Sequence, residues 1–256
     1  MDVKKSKILS FNNISKLYDN NRPSYPEELI NGVIKISKIT SKSNILDIGC
    51  GTGKATIMFA KTKADITALD ISLNMIAVGK EKSKQYSNIK YFVSSFEDIK
   101  LDNNYFDLII CAQSFHFLDR KTALTKISKL LKRNGYLVIF SNFPDIENNN
   151  LLKDISVLYK KYCESFPKDY GSTQKIEHIV NRSGLFCKIK KINYSRLISN
   201  NKDSYLNLVK TLSYVQILNK DTKEELIKGI QSLLEKENDI FELPCITKLL
   251  ITKKLV

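Results

Sequence analysis

Long apolar runs, closely spaced cysteines and histidines are all scarce in this 256-residue chain. No run of about 18 apolar residues occurs, so no membrane-spanning helix is predicted. The five cysteines are odd in number and far apart, without a C-x-x-C pair, which argues against a disulfide framework and a thiolate zinc site. Only two histidines, His116 and His178, are present, and we expect no metal. The opening MDVKKSKILS has no apolar stretch of signal-peptide length behind it, so we expect a cytoplasmic protein.

Apolar residues, by contrast, make up 43% of the chain and charged residues 27%. Both kinds are spread along the whole length, which excludes collagen-like, low-complexity and disordered proteins. The length fits one globular domain of generous size, and we predict a single domain over residues 1–256.

Positive charge is in excess, with a formal net charge of +14. Such an excess can mark a nucleic-acid partner, because Lys and Arg supply phosphate contacts. Lys is abundant throughout, however, and even in the most basic stretch, residues 151–202, apolar residues interrupt the basic ones. We interpret the charge as a compositional bias and favour a small-molecule substrate over nucleic acid. The residues do not distinguish a monomer from a homodimer.

Strand and helix patterns alternate from Asn44 to Phe140. Short apolar runs such as NILDIG, DITALD and FDLIICAQ predict parallel strands that are covered on both faces. The segments between them have helical apolar spacing. In RKTALTKISKLLKRNG, Asp119 is the predicted N-cap and Gly135 the predicted left-handed stop. The alternation predicts right-handed βαβ crossovers and a doubly wound α/β sheet.

The pattern changes on both sides of this core, which we place at residues 41–142. Residues 1–40 form a predicted N-terminal cap, and residues 143–256 hold the second half of the sheet with helical insertions. The later helices are predicted at 150–170, 174–183, 202–218 and 222–237, and the later strands near 186–194 and at CITKLLITKKL. Insertions over 143–175 and 200–240 are expected at the carboxyl edge of the sheet, where ligands of such folds bind.

The most informative segment is ILDIGCGTGKAT, residues 45–56, a strand followed by a glycine-rich turn and a helix. A P-loop would need a Gly at position 48 and Ser or Thr at position 55, but Ile48 and Ala55 stand there. A dinucleotide fingerprint would need a third glycine at position 54, which is Lys54. What remains is the pattern D-x-G-x-G-x-G, from Asp47 to Gly53.

This pattern suits a cationic ligand that contains a ribose. The acid that precedes the glycines would repel a pyrophosphate, and glycines let the backbone pass close beneath a bulky ligand. Nineteen residues after Gly51, the second strand ends at Asp70, where a carboxylate can accept hydrogen bonds from both ribose hydroxyls. Ser72 can cap the following helix, so we expect Asp70 to be free for the ligand. A ligand with a ribose, a positive centre and no phosphate is S-adenosylmethionine.

At these residues the sequence resembles the class I S-adenosylmethionine-dependent methyltransferases, from about residue 40 to residue 142 and more loosely in both flanks. YDNNRPSYP at 18–26 and TLSYVQIL at 211–218 look like the small-molecule branch that includes trans-aconitate methyltransferases. The resemblance implies a seven-stranded sheet of order 3-2-1-4-5-7-6 with the last strand antiparallel, carrying helical lid insertions.

The resemblance also implies roles for individual residues. Asp47 and the glycine backbone approach the methionine amino group, and Asp70 approaches the ribose. In SSFEDI, after the third strand, the Phe96 N–H and the Glu97 carboxylate match the place where such enzymes read adenine. Tyr18 and Arg22 belong to an N-terminal flap near the cofactor. The full predicted cofactor-binding set is Tyr18, Arg22, Asp47, Gly49, Cys50, Gly51, Gly53, Asp70, Ile71, Met75, Ser95, Phe96, Glu97 and Gln113.

Several roles stay open at the level of sequence. Arg22 could pair with the cofactor carboxylate, pair with a substrate carboxylate, or anchor the flap. In CAQSFHF, His116 is the predicted catalytic residue: it either acts as general base or shapes the pocket. Cys50 and Cys111 are interpreted as packing residues, because methyl transfer needs no covalent intermediate. The aromatic residues at 159, 162, 166 and 170 form either a plain amphipathic helix or a substrate cage.

We therefore predict O-methylation of a small acid or alcohol, with Tyr18, Arg22 and Tyr214 positioning the acceptor. One alternative is a nucleic-acid methyltransferase that uses the basic surface. Amino-methylating enzymes of that kind carry an Asp/Asn/Ser-Pro-Pro-Tyr/Phe segment after the fourth strand, whereas AQSFHF has no proline. The other alternative is a non-catalytic S-adenosylmethionine-binding module.

Overall fold

The computed structural model of the protein describes residues 13–255, so the first twelve residues of the predicted N-terminal cap lie outside the described part. The helices within it are α1 (Ser15–Asn21), α2 (Glu27–Ser37), α3 (Lys54–Ala60), α4 (Leu73–Lys82), α5 (Arg120–Leu130), α6 (Asn150–Tyr162), α7 (Gln174–Arg182), α8 (Lys202–Lys210), α9 (Ser213–Gln216) and α10 (Lys220–Leu234). The strands are β1 (Asn44–Ile48), β2 (Asp65–Asp70), β3 (Ile89–Val93), β4 (Phe106–Ala112), β5 (Leu131–Pro144), β6 (Lys190–Asn201) and β7 (Ile240–Lys253). No helix in this part of the chain is both long and apolar enough to cross a bilayer.

The seven strands form one mixed sheet in the order β3-β2-β1-β4-β5-β7-β6, which confirms the predicted fold. β1 lies inside the sheet, paired in parallel with β2 on one side and with β4 on the other. The order reverses direction at this point, because the chain moves outward to β3 and then returns to β4. Ligands of doubly wound sheets bind at such a switch point, beyond the carboxyl ends of the strands.

Alternate residues of the central strands pack into two different apolar clusters, as expected of strands with both faces covered. Leu46 and Ile109 belong to one cluster, which includes residues of α5 and α7. Ile45 and Leu108 belong to the other, which includes residues of α2 and α3. The burial of both faces fixes the register of β1 and β4, since a slip of one residue would exchange the two faces.

The chain divides into two compact units. The first, here the sheet unit, comprises residues 24–141, 173–194 and 247–255. The second, here the helical unit, comprises residues 13–23, 142–172 and 195–246. The helical unit has an apolar core of its own, built from residues of α6, α8, α9, α10 and the first part of β7.

Several predicted boundaries differ from the structure. The residue in left-handed conformation after α5 is Asn134, with φ 70°, and not Gly135. Gly135 is needed for a different reason: a Cβ atom there would lie 3.0 Å from the Leu131 side chain and 3.1 Å from two backbone oxygens. The helix predicted at 202–218 is two helices, α8 and α9. The last two strands are also longer than the apolar patterns indicated; in β6, most exposed positions carry polar residues, which interrupt the apolar pattern.

Candidate active site

The glycine-rich turn after β1 is held by backbone hydrogen bonds to the end of β2. The Gly49 and Cys50 N–H groups both donate to the Leu69 carbonyl, at 2.8 and 3.0 Å. Gly49, Gly51 and Gly53 have φ values of 68°, 55° and 77°, a left-handed conformation that residues with a Cβ atom rarely adopt. The turn then leads directly into α3, with Gly53 at its N-cap.

The three glycines differ in what surrounds them. A Cβ atom at Gly49 would lie 2.6 Å from the Ser114 Cβ, and one at Gly53 would lie 2.7 Å from the Tyr91 Oη. These two glycines therefore permit close internal packing. At Gly51, no described atom outside the adjoining residues lies within 4 Å of the place where a Cβ would stand. Gly51 is thus the glycine of this turn that faces open space.

Asp47 is a fully buried acid beneath this turn. Its Oδ2 accepts a hydrogen bond from the Thr56 hydroxyl at 2.6 Å, while its Oδ1 has no partner among the described residues. Burial raises the pKa of Asp47 to about 7, the Thr56 hydrogen bond opposes that shift, and the charge of Asp70 adds to it. A buried carboxylate with an unused oxygen is a site that a cation would stabilise.

Asp70, at the end of β2, is engaged with the backbone. Its Oδ2 accepts from the Gly51 N–H at 2.9 Å and its Oδ1 accepts from the Ser72 N–H at 2.8 Å. Burial raises the pKa of Asp70, and these backbone hydrogen bonds oppose the shift. Asp70 does not cap the helix, but both of its oxygens already accept one hydrogen bond from the backbone. Each carboxylate oxygen can still accept a second hydrogen bond, so capacity for a ribose hydroxyl remains.

The residues after Asp70 form the start of α4. Ser72 is the N-cap, as expected, and its hydroxyl oxygen accepts a hydrogen bond from the Met75 N–H at 3.1 Å. Met75 is buried and Ile71 is half-buried. Both lie within one turn of Asp70 and share its edge of the sheet.

After β3, residues 95–99 form a tight turn. The Ser95 hydroxyl donates to the Asp98 carboxylate at 2.6 Å and accepts from the Asp98 N–H at 3.0 Å. The Phe96 side chain is buried in the core of the sheet unit, whereas Glu97 is exposed. No hydrogen bond of the described residues uses the Phe96 N–H.

Gln113 follows β4 in a left-handed conformation, with φ 59°, and its N–H donates to the Phe140 carbonyl at 2.9 Å. The next residue, Ser114, is buried and donates a short hydrogen bond to the Ile48 carbonyl. The end of β4 is thereby tied to the end of β1. His116 is exposed in a 3₁₀ turn (Phe115–Phe117), with its ring centroid 4.0 Å from that of Phe117.

Burial raises the pKa of the Cys50 thiol and of the Cys111 thiol, and the negative charge of Asp47 adds to both shifts. Thiols with raised pKa values are poor nucleophiles, because the thiolate is the reactive form. The geometry therefore supports a packing role for both residues.

Tyr18 and Arg22 belong to the helical unit. The Arg22 guanidinium donates from Nε to the Thr211 hydroxyl at 2.8 Å and from Nη2 to the Thr211 carbonyl at 3.0 Å. It also lies 5.2 Å from the centre of the Tyr18 ring. The aromatic residues Tyr159, Phe166, Tyr170 and Tyr214 pack against one another in the same unit, with ring centroids 5.0–6.5 Å apart. These rings, together with Tyr162, belong to the apolar core of the helical unit, which favours a packing role over a substrate cage.

Sequence reasoning missed several residues that shape these sites. Thr56 is the hydrogen-bond partner of Asp47, Ser114 blocks the space beside Gly49, and Thr211 holds Arg22. Lys126, on α5, donates hydrogen bonds to the turn after β3. None of these residues carries a local signal, because each acts on a residue that is distant in sequence.

Comparisons with known proteins agree with this geometry. The sequence profile of the family described as "Methyltransferase domain" matches residues 46–139. A Schizosaccharomyces pombe protein named as an uncharacterized methyltransferase is 30% identical over 185 residues, which cover 68% of this chain and 70% of the relative. A Saccharomyces cerevisiae protein named as a probable S-adenosylmethionine-dependent methyltransferase is 29% identical over 177 residues, covering 65% of this chain and 57% of the relative. The chain thus spans a little over half the length of the Saccharomyces relative.

Among solved structures, SpnF, described as a 4+2 cyclase, superimposes with a TM-score of 0.63 at 12% identity, covering all of this chain and 98% of its own. That likeness concerns the fold alone. The fold, the turn after β1 and the relatives together define the class: the chain belongs to the class I S-adenosylmethionine-dependent methyltransferases. Its cofactor is S-adenosylmethionine.

Proposed function

We propose that the protein transfers the methyl group of S-adenosylmethionine to an oxygen atom of a small acceptor, either a carboxylate or a hydroxyl. The observation that carries the proposal is the arrangement around the turn after β1. Asp47 is a buried acid, and one of its oxygens has no hydrogen-bond partner in the described part of the chain; Gly51 is a glycine that faces open space. Both features suit a cationic ligand that passes close to the backbone.

The residues present fit the cofactor. Asp47 Oδ1 would accept a hydrogen bond from the amino group of the methionine portion, whose positive charge would stabilise the buried carboxylate. Asp70 would accept the ribose hydroxyls with the lone pairs that its backbone partners leave over. The Phe96 N–H and the Glu97 carboxylate would read the adenine edge, in agreement with the resemblance of SSFEDI.

Bound S-adenosylmethionine would supply a methyl group that the positive sulfur already activates. An acceptor oxygen attacks the methyl carbon in line with the carbon–sulfur bond, which breaks. The protein's task is to orient the acceptor and to exclude water from it. A carboxylate acceptor needs no base. A hydroxyl must lose its proton, and His116, exposed in the turn after β4, is the residue we assign to take it.

For an acidic acceptor we propose Arg22 as the binding residue. Nε and one N–H of Nη2 donate to Thr211, and no other hydrogen bond of this guanidinium is found among the described residues. The second N–H of Nη2 and an N–H of Nη1 are therefore left to bind a carboxylate as a bidentate fork. Burial raises the pKa of Tyr170 and of Tyr214, and the positive charge of Arg22 opposes both shifts. Arg22 is thus a half-buried cation that interacts electrostatically with two tyrosines, a combination that favours an anionic ligand.

A transfer assay with a labelled methyl group tests the acceptor class. The purified protein is offered pooled small carboxylic acids, pooled alcohols, total RNA and DNA in separate reactions, and the products are analysed for a mass gain of one methylene group. We expect label in small products, with an ester from the acids. Label confined to nucleic acid would contradict the proposal, and so would cofactor binding without transfer to any pool.

Variants of Arg22 test the carboxylate assignment. Arg22→Ala should raise the acceptor KM about tenfold or more, from the loss of a charge-assisted bidentate contact, and leave the cofactor Kd within about twofold. Arg22→Lys keeps the charge but not the fork, so it should restore part of the affinity only. Lys16→Ala is the matched control, because Lys16 is an exposed cation on the same segment, in α1. A larger loss in cofactor binding than in acceptor binding would reassign Arg22 to the cofactor.

A further inference from the structure

Lys126 of α5 makes an unusual set of contacts with the turn after β3. Its ammonium group donates to three backbone carbonyls, those of Phe96 at 2.6 Å, Glu97 at 3.1 Å and Ile99 at 2.6 Å. A lysine ammonium has three donors, so all three are used. Most lysines in proteins extend into solvent, whereas this side chain is half-buried and directed inward.

The turn is fixed at both ends. At its start, Ser95 and Asp98 bond to each other through both the hydroxyl and the backbone, as a helix N-cap does. After the turn the chain does not continue as a helix, so its backbone carbonyls have no helical N–H partners. They accept hydrogen bonds from Lys126 instead. A cation at this position serves the same purpose as a basic residue at the C-terminus of a helix.

The electrostatics of the contact agree with this interpretation. Burial lowers the pKa of the Lys126 ammonium, while the nearby charges of Glu97 and Asp98 oppose that shift. The Lys126 Nζ also lies 5.0 Å from the centre of the Phe96 ring, over its face. The ammonium group is therefore held by carbonyls, carboxylates and an aromatic ring together.

We propose that Lys126 is a positioning residue for cofactor recognition: it fixes the turn at residues 95–99 so that the Phe96 N–H and the Glu97 carboxylate meet the adenine edge. This inference rests on the proposed adenine contacts of those two residues. Lys126 itself touches only the protein in this scheme. Its effect on the cofactor passes through the backbone of the turn, whose carbonyl groups it bonds.

The test is the selectivity between S-adenosylhomocysteine and S-inosylhomocysteine, which differ only in the hydrogen-bonding edge of the base. Hypoxanthine presents a donor at N1 and an acceptor at position 6, the reverse of adenine. If the turn is held in place, the protein should bind the adenosyl ligand about a hundredfold more tightly than the inosyl ligand. The reason is that a binding site disfavours a ligand that leaves the site's own hydrogen-bonding groups unpaired. Both dissociation constants are measured by calorimetry on the full chain.

Lys126→Met keeps an unbranched aliphatic side chain and removes the three donors. We expect it to reduce the selectivity ratio at least tenfold, while Lys126→Arg keeps the ratio within about threefold because it retains a cation with several donors. Lys129→Met is the matched control: Lys129 is exposed on the same helix, and its hydrogen bond to a described residue outside the helix is made by the backbone carbonyl. A Lys126→Met protein that keeps the wild-type ratio would overturn the inference.

A second measurement separates failure of this inference from failure of the proposed adenine site. Glu97→Gln should lower the selectivity at least tenfold if Glu97 reads adenine, because an amide can pair with either base and only the Phe96 N–H then discriminates. If Glu97→Gln leaves the ratio unchanged, the adenine assignment is wrong, and the positioning role of Lys126 falls with it. If Glu97→Gln lowers the ratio and Lys126→Met does not, only the role of Lys126 is wrong.

Hydrogen exchange of the cofactor-free protein covers the case in which Lys126→Met binds no ligand. The peptide containing residues 95–99 should exchange faster in Lys126→Met than in Lys129→Met, with the peptides of β1 and β4 unchanged. Faster exchange across the whole sheet unit would mean that the lysine stabilises the fold in general, and would overturn the specific positioning role.

Discussion

The Asp70 carboxylate accepts a hydrogen bond from the Gly51 N–H at 2.9 Å, so the acid at the end of β2 holds the turn that follows β1. The two residues belong to different strand ends and are nineteen positions apart in sequence. In the proposed binding mode, the same carboxylate also receives the ribose. Asp70 would therefore link the shape of the glycine turn to the presence of the cofactor.

Replacement of Asp70 tests this double role. Asp70→Ala should weaken binding of S-adenosylmethionine by about 1.5–3 kcal/mol, because charge-assisted hydrogen bonds are lost. Asp65→Ala is the control, since Asp65 is an exposed acid at the opposite end of the same strand. Calorimetric titration of both variants measures the effect, and equal affinities for the two would contradict the role of Asp70.

Gly51 and Gly184 offer a matched test of the open space beside the turn. Both have positive φ values, 55° and 65°, and at neither does a described atom outside the adjoining residues lie within 4 Å of the place where a Cβ would stand. Alanine at either site should cost about 1 kcal/mol or slightly more in the free energy of unfolding, from backbone strain. Only Gly51→Ala should also lower cofactor affinity, by about tenfold or more, because its methyl group enters space that we assign to the ligand.

A protein in which Gly184→Ala reduced cofactor affinity as much as Gly51→Ala would show that strain alone is responsible. Gly49→Ala provides the other extreme. Its Cβ would meet the Ser114 Cβ at 2.6 Å, so chemical denaturation should show a loss of stability larger than that of either other variant.

Asp47 should make the stability of the cofactor-free protein depend on pH. Its pKa is raised from 3.8 to about 7 by burial, so the folded state binds more protons than the unfolded state between these values. Stability attributable to this group therefore increases as pH falls from about 8 toward 5, and decreases as pH rises. Relative to Asp47→Asn, the wild-type protein should gain roughly 2–3 kcal/mol over that interval. Denaturation curves of both proteins at about pH 5, 6, 7 and 8 measure the difference, and parallel curves would contradict the raised pKa.

The same residue should couple cofactor binding to proton release. A cation beside Asp47 Oδ1 favours the ionised carboxylate, so binding lowers its pKa. Between about pH 5.5 and pH 7 the cofactor should therefore bind more tightly as pH rises, with a proton released on binding. Calorimetry in two buffers of different ionisation enthalpy detects the proton, and Asp47→Asn should abolish its release.

His116→Ala distinguishes the two kinds of oxygen acceptor. If the acceptor is a hydroxyl, loss of the base should reduce turnover by about 10²–10⁴ with cofactor affinity unchanged. If the acceptor is a carboxylate, the loss should stay below about tenfold, because no proton has to be removed. Single-turnover rates with the acceptor identified in the transfer assay provide the measurement.

Much of the architecture was accessible from the sequence. The short apolar runs and the helical spacing from Asn44 to Phe140 are local patterns, and through the family resemblance they correctly predicted the strand order around β1. Asp47, the three glycines and Asp70 were also identified locally, because a left-handed turn at the end of a strand favours glycine wherever it occurs. Gly135 shows the limit of such reasoning: the stop fell on Asn134, and the glycine is explained by crowding from Leu131.

What the sequence determined by itself is therefore the class of fold and the residues of the glycine turn, since both follow from periodicity and backbone conformation. Only the tertiary structure decided that Asp47 keeps one oxygen without a described partner, that Asp70 already holds Gly51, and that Lys126 reaches the turn after β3. These are contacts between residues far apart in the chain. They depend on which side chains the sheet brings to one edge and on how completely burial removes water from those side chains. No local stretch of sequence determines either of these.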